Sequence, residues 1–191
     1  MGKSSAGKDT IYSDLISKSE LDLRRIVTYT TRPIRDSEQH GREYFFVDDC
    51  MADTLERQGK VIEKRVYHTV HGEWKYFTVD DQKLEESDYL GIGTLESYAK
   101  IRAFYGAEKV IPIYVEVDDG LRLERALNRE RLPQNRKFEE MCRRFLADAQ
   151  DYSEENLKRA GIDRRFRNDG DRQECVAEIQ KFIQECQQKG E

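Results

Sequence analysis

Gly2-Lys-Ser-Ser-Ala-Gly7-Lys8, at the start of the chain, has the spacing G-x-x-x-x-G-K. Glycines at those places let successive backbone N–H groups curl round phosphate oxygens, the lysine adds a mobile cation, and a following helix presents its positive N-terminal end. Ile11, Tyr12, Leu15 and Ile16 share one helical face directly afterwards. Position 9 is Asp, where the pattern has Ser or Thr. A divalent cation would therefore be met by Thr10, by water or by the Asp9 carboxylate. Such a loop normally follows a buried strand, and only Met1 stands ahead of it here. Either about five to eight residues of first core strand are missing, or the loop is mounted differently.

Outward from the loop, 110–117 (Val-Ile-Pro-Ile-Tyr-Val-Glu-Val) is near-continuously apolar, as expected of a strand covered on both faces, and Asp118-Asp119 can cap the next helix. Shorter strands are expected at 25–29, 89–92 and 165–167. Helical stripes run through Phe138, Met141, Cys142, Phe145, Leu146, Ala149 and Tyr152, and through Cys175, Val176, Ile179, Phe182, Ile183 and Cys186. A shorter one joins Leu123, Ala126 and Leu127. Strands alternating with helices predict an α/β fold, a mostly parallel sheet with helices on both faces. Residues 43–47, 61–67 and 74–79 are instead β-rich and closely spaced, the mark of a small antiparallel or mixed subdomain inserted in the core.

The chain has 191 residues, too few for an eight-fold βα barrel of about 250. With 33 basic and 38 acidic residues the net charge is −5, and no run of one sign suggests a nucleic-acid partner. Cys50, Cys142, Cys175 and Cys186 form no CxxC pair or His/Cys cluster, which reads as free thiols of a reducing compartment. No apolar stretch approaches the roughly 18 residues that span a bilayer. Met1-Gly2 starts like a myristoylation signal, but position 6 is Ala. The expectation is a cytoplasmic protein, monomer or homodimer, with no membrane or nucleic-acid partner.

Residues 27–47 read Val-Thr-Tyr-Thr-Thr-Arg32-Pro-Ile-Arg35-Asp-Ser-Glu-Gln-His-Gly-Arg-Glu-Tyr44-Phe-Phe-Val. This stretch closely resembles the guanylate kinase motif Val-Ser-x-Thr-Thr-Arg-x-x-Arg-x-Gly-Glu-x-x-Gly-x-x-Tyr-x-Phe-Val. The likeness extends over nearly the whole chain. Ile62-Glu63 with Tyr76-Phe77-Thr78 is similar to the family's Ile-Glu and Tyr-Gly-Ser/Thr pair. Leu123 to Arg129 resembles the start of its arginine lid, Arg144 with Asp151 the distal part, and Phe166-Arg-Asn168-Asp169 the stretch near the adenine site.

The resemblance implies the phosphate-loop nucleoside monophosphate kinase fold over residues 1–191. Its parts would be a core of 1–30, 88–128 and 152–191, a GMP-binding subdomain of about 31–87, and a lid of about 129–151. It also implies phosphoryl transfer from ATP, with Mg²⁺, to GMP or dGMP. Gly2, Ser4, Ser5, Ala6, Gly7, Lys8, Asp9, Thr10 and Asn168 would bind ATP; Lys8, Arg125, Arg129 and Arg144 would act in catalysis. Thr28, Arg32, Arg35, Tyr44, Glu63, Tyr76 and Thr78 would bind the acceptor, and Asp9 or Thr10 would meet the metal.

These residue types suit the chemistry. Phosphoryl transfer depends mostly on positioning and on neutralising developing charge. Arg32 and Arg35, in a proline-stiffened segment, can clasp a monophosphate through planar forks, with tyrosine hydroxyls as further donors. A glutamate facing the guanine Watson–Crick edge accepts from N1–H and from the exocyclic amine, a donor pair that adenine lacks. A lid arginine can serve as a cis arginine finger.

The chain also departs from the family. Leu90-Gly91-Ile92-Gly93 stands where the family has Leu-Asp-Ile-Asp, and Phe77 where it has Gly. Asp9 is expected to replace part of the lost carboxylate charge, and Phe77, beside the base pocket, to narrow it or to reshape it for another acceptor. His68 and His71, in a segment longer than the family's, have H-x-x-H spacing without a third ligand, so no metal is expected there. Two alternatives stay open: a kinase of this fold with another acceptor, such as ribose 1,5-bisphosphate, and a non-catalytic binding module.

Overall fold

The computed structural model describes residues 1–36, 38–69, 72–81, 86–132 and 136–190. In chain order the first elements are α1 (Lys8–Ile16), β1 (Leu23–Arg25), β2 (Tyr29–Thr30), β3 (Phe45–Phe46), α2 (Asp49–Arg57), β4 (Val61–Thr69) and β5 (Gly72–Val79). They continue with β6 (Asp88–Leu90), α3 (Leu95–Tyr105), β7 (Tyr114–Glu116), α4 (Asp119–Arg131), α5 (Phe138–Asp151), α6 (Glu154–Arg159), β8 (Arg165–Arg167) and α7 (Arg172–Gly190). This is the expected α/β fold. The chain divides into two compact units, Met1–Asp22 with Ile92–Leu95 and Ile111–Glu191, and Leu23–Gly91 with Glu96–Val110.

In the first unit β7 and β8 pair in parallel, Tyr114 opposite Arg165 and Glu116 opposite Arg167. Val115 and Phe166 are buried on one face, and Tyr114 is buried on the other against the Tyr152 ring, 5.7 Å away. The strand is thus covered on both sides, as its apolar sequence predicts. It is shorter than 110–117 because Pro112 has no N–H to give to a ladder. Met1 runs beside it: the Met1 nitrogen donates to Ile113 O at 2.6 Å and Val115 N to Met1 O at 2.9 Å. Helix α7 buries Cys175, Val176, Ile179 and Ile183 along one stripe, and α1 buries Ile11 and Leu15. On α5 the expected stripe is only partly covered, with Met141 buried but Leu146 70% exposed. On α4 Ala126 is buried as expected, while Leu123 is exposed and its neighbour Arg122 is buried in its stead.

In the second unit β1 and β6 pair in parallel, Leu23 opposite Asp88. A mixed four-stranded sheet follows in the order β3-β2-β5-β4, with β2 and β3 parallel and the other neighbours antiparallel. Successive residues of a strand leave opposite faces, so the two faces of this sheet differ in character. One receives α2, whose first turn is capped by the Asp48 carboxylate accepting from Met51 N at 2.8 Å. Ala52 of α2 packs there with Phe77, Val79, Tyr29, Val47, Leu55 and Val61. Lys75 reaches Asp49 and Asp53 of the helix at 2.9 and 3.0 Å, and Lys64 reaches Glu56 at 2.6 Å. The other face carries Glu63 opposite Thr78, Arg65 opposite Tyr76, and Tyr67 opposite Trp74.

That division corrects one expectation. Phe77 does not crowd the pocket marked by Glu63 and Thr78; it is 1% exposed in the core beneath α2. His68 is exposed, with Nδ1 3.0 Å from Glu73 Oε1, and His71 lies outside the described residues. No described helix is long and apolar enough to cross a membrane. All four cysteines are free.

Candidate functional site

The phosphate loop is built from backbone conformations that only certain residues adopt without cost. Gly7, with φ +82°, is the N-cap of α1, and an added Cβ would stand 2.6 Å from Asn168 Nδ2. Gly2 lies so close to β7 that a Cβ would sit 2.5 Å from Val115 O. Ser5 is left-handed despite its side chain, with φ 64°, a conformation that costs about 1–2 kcal/mol. Strain of this kind, held in place by surrounding structure, is typical of binding loops. Lys8 lies in the first turn of α1 and folds back to within 3.5 Å of Lys3 O. Asp9 and Thr10 follow it on the exposed side of that turn.

Asn168 anchors the loop from the end of β8. It is buried, its Nδ2 donates to Ala6 O at 2.9 Å, and its backbone carbonyl accepts from Arg125 Nη2 at 2.9 Å. Its Oδ1 and the Ser5 Oγ are buried without a partner. Such atoms carry a desolvation cost until something donates to or accepts from them. Asp169, next in sequence, accepts from Asp118 N at 2.8 Å and from Arg167 Nε at 2.7 Å. The Asp118 N–H, with Arg167 beside it, holds the Asp169 carboxyl below its usual range.

Arg122 was not singled out by the sequence reading. Its side chain is 1% exposed, with Nε 3.0 Å from Asp119 Oδ1, Nη1 3.2 Å from Asp148 Oδ2, and the guanidinium carbon 4.0 Å from the centre of the Phe145 ring. Asp148 Oδ2 also accepts from Ser4 N at 2.8 Å. Helix α4, helix α5 and the phosphate loop therefore meet on one buried ion pair. Of the lid arginines expected to act in catalysis, Arg125 lies beside Asn168 and Arg129 is exposed. Arg144 is half-exposed, 3.7 Å from Glu140, which also holds Arg143 at 2.7 Å.

The second unit brings its own expected residues together. Arg32 is 3% exposed and three of the five N–H donors of its guanidinium are engaged: Nε donates to Tyr76 Oη at 3.1 Å, Nη1 to Pro33 O at 2.7 Å and Nη2 to Glu38 Oε1 at 2.7 Å. Glu38 Oε2 accepts from Arg35 N at 2.9 Å. The hydrogen bond from Arg32, with that from Arg35 N, holds the Glu38 carboxyl below its usual range. Tyr44 stands edge-on to Tyr76 at 5.6 Å and within 5.5 Å of the Arg32 guanidinium carbon; burial pushes its hydroxyl pKa up. Arg35 is exposed, and Thr28 takes part through its carbonyl, which accepts from Phe45 N at 2.9 Å. Along the same sheet face Glu63, 3% exposed, accepts from Thr78 Oγ1 at 2.9 Å.

A Cβ at Gly91 would stand 3.2 Å from Ile26 Cδ1 and 3.4 Å from Ile26 Cβ, so a side chain there would require Ile26 to shift by a few tenths of an ångström. Among the described residues no group of three or more His, Cys, Asp or Glu could hold a metal ion unaided.

A glycine loop over a helix N-terminus, with a separate mixed sheet carrying arginine, tyrosines and a buried carboxylate, defines an α/β phosphate-loop fold of the nucleoside monophosphate kinase class. The guanylate kinase family profile matches residues 1–185. The chain belongs to the guanylate kinase family. The guanylate kinase of Tropheryma whipplei (strain Twist) is 37% identical over 81 residues, 42% of this chain and 40% of that protein. That of Malacoplasma penetrans (strain HF-2) is 23% identical over 177 residues, 89% of this chain and 79% of that protein. The match to the first of these relatives spans 40% of its length. Among solved structures, guanylate kinase from Anaplasma phagocytophilum superposes with a TM-score of 0.60 at 21% identity, covering 96% of this chain and 82% of that one. At that identity the likeness is one of fold.

Proposed function

We propose that this protein transfers the γ-phosphoryl group of ATP to the phosphate of GMP or dGMP. The observation that carries the reading is the single sheet face on which Arg32, Tyr44 and Tyr76 stand beside Glu63 and Thr78. The first three offer donors to a monophosphate, and the last two offer a buried carboxylate and a hydroxyl to a base edge. The first unit would hold ATP. Its phosphates suit the N–H groups from Ser5 to Asp9 and the N-terminal end of α1, Lys8 would leave Lys3 O to meet them, and the adenine amine suits the unpartnered Asn168 Oδ1.

Mg²⁺ fits this arrangement with little help from the chain, because it keeps several waters and binds mostly to substrate phosphates. It would neutralise charge on the transferring group, with Asp9 or Thr10 as its nearest protein neighbours. Arg125, Arg129 and Arg144 would supply further positive charge from the lid region of about 129–151 and its approach.

Initial rates of ADP formation with GMP, dGMP, AMP and ribose 1,5-bisphosphate test the acceptor. GMP and dGMP should raise the rate at least about fivefold over AMP, the lower end of what one well-placed pair of base contacts discriminates. A preference for ribose 1,5-bisphosphate would instead assign the fold to another acceptor, a possibility that Gly91 and Gly93 in place of two family aspartates keep open.

A further inference from the structure

Arg65 lies two residues beyond Glu63 on β4 and therefore on the same face of the sheet. Its Nε is 3.2 Å from Glu63 Oε2 and its Nη2 is 3.4 Å from Oε1; the Arg65 side chain is 19% exposed and that of Glu63 1%. Thr78 Oγ1 donates to Oε1 as well, at 2.9 Å. A carboxylate has about four lone-pair positions, two on each oxygen. Oε1 is filled by Thr78 and Arg65, and Oε2 keeps one position after accepting from Arg65.

A guanine edge brings two donors to a carboxylate, N1–H and the 2-amino group. One free position satisfies one of them. The other must displace Arg65 from a charge-assisted, largely buried pair or go unmatched, and a buried donor without an acceptor loses affinity rather than gaining it. We propose that Arg65 is a specificity-determining residue that cancels most of the reward for the 2-amino group. The acceptor class is then the 6-oxopurine nucleoside monophosphates, hypoxanthine alongside guanine. The inference rests on the reading of Glu63 as the base-reading residue given above.

The test is the ratio of kcat/KM for GMP to that for IMP in the unmodified protein, in Arg65→Ala and in Arg65→Lys. A ratio does not depend on the fraction of each variant that is folded. The unmodified protein should favour GMP by less than about fivefold, the lower end of what one well-placed pair of base contacts discriminates. Arg65→Ala, which frees a position on each oxygen, should raise the ratio at least about tenfold. Arg65→Lys, whose single ammonium cannot span both oxygens, should fall between the two. A strong GMP preference in the unmodified protein, or a ratio that Arg65→Ala leaves unchanged while GMP remains a substrate, overturns the role of Arg65. Failure of both nucleotides to accept phosphate overturns the parent reading as well.

Discussion

Phe77 and its neighbours Tyr76 and Thr78 show how one residue's direction decides what it does. Tyr76 and Thr78 leave β5 toward Arg32 and Glu63, and Phe77 leaves it toward α2. Its bulk is therefore a matter of stability and not of acceptor choice. Phe77→Ala should lower the unfolding free energy by about 3–5 kcal/mol, the usual cost of emptying an aromatic core site. At a temperature where the variant is folded, its order of preference among acceptors should match that of the unmodified protein. Denaturant unfolding and competition assays measure the two effects separately. The parity needed for this reading was available in the sequence, because a strand that sends 76 and 78 to one face sends 77 to the other. The same parity places Arg65 beside Glu63. Neither inference comes from comparing residues with a family motif one position at a time.

At the scale of elements, what could be read in advance is what is local. The G-x-x-x-x-G-K loop, the α7 stripe, the Arg32 segment and the β4–β5 hairpin all announce themselves within short windows. Strand lengths were harder to anticipate, since β7 occupies only three of the eight residues with strand character and Pro112 interrupts its ladder. Arg122 was hidden for another reason. Its partner Asp148 is 26 positions away and the Ser4 carbonyl that it approaches is 118 away, so no window of sequence holds the contact. Removing one partner of a buried pair costs about 3–5 kcal/mol when the other is left alone; here Asp119 still pairs with Arg122 and Ser4 N still donates to Asp148, so each loss should cost less than that. Arg122→Met and Asp148→Asn should each lower the unfolding midpoint. Together they should destabilise by less than the sum, with a coupling of about 0.5–3 kcal/mol in a double-mutant cycle. Additive effects would show that α4, α5 and the phosphate loop are not joined through this pair.

At the scale of the whole molecule, net charge says little about chemistry. An overall charge of −5 coexists with Arg32, Arg35 and Arg65 in the sheet-bearing unit and with Arg122 and Arg125 near the phosphate loop. Each unit carries its own cluster of basic residues, the arrangement the proposed reading requires for two phosphorylated ligands. Under the proposed reading the glycine-rich loop, with its left-handed Ser5, would serve the donor, and the Arg32 cluster with Glu63 would serve the acceptor. The central claim is that the two ligands exchange a phosphoryl group. Incubation with ATP labelled at the γ-phosphate, Mg²⁺ and GMP tests it most directly. The label should appear in the β-phosphate of GDP, and Lys8→Ala should abolish its transfer. Label that stays in ATP, that is released only as inorganic phosphate, or that moves to GMP equally well with Lys8→Ala would contradict the account.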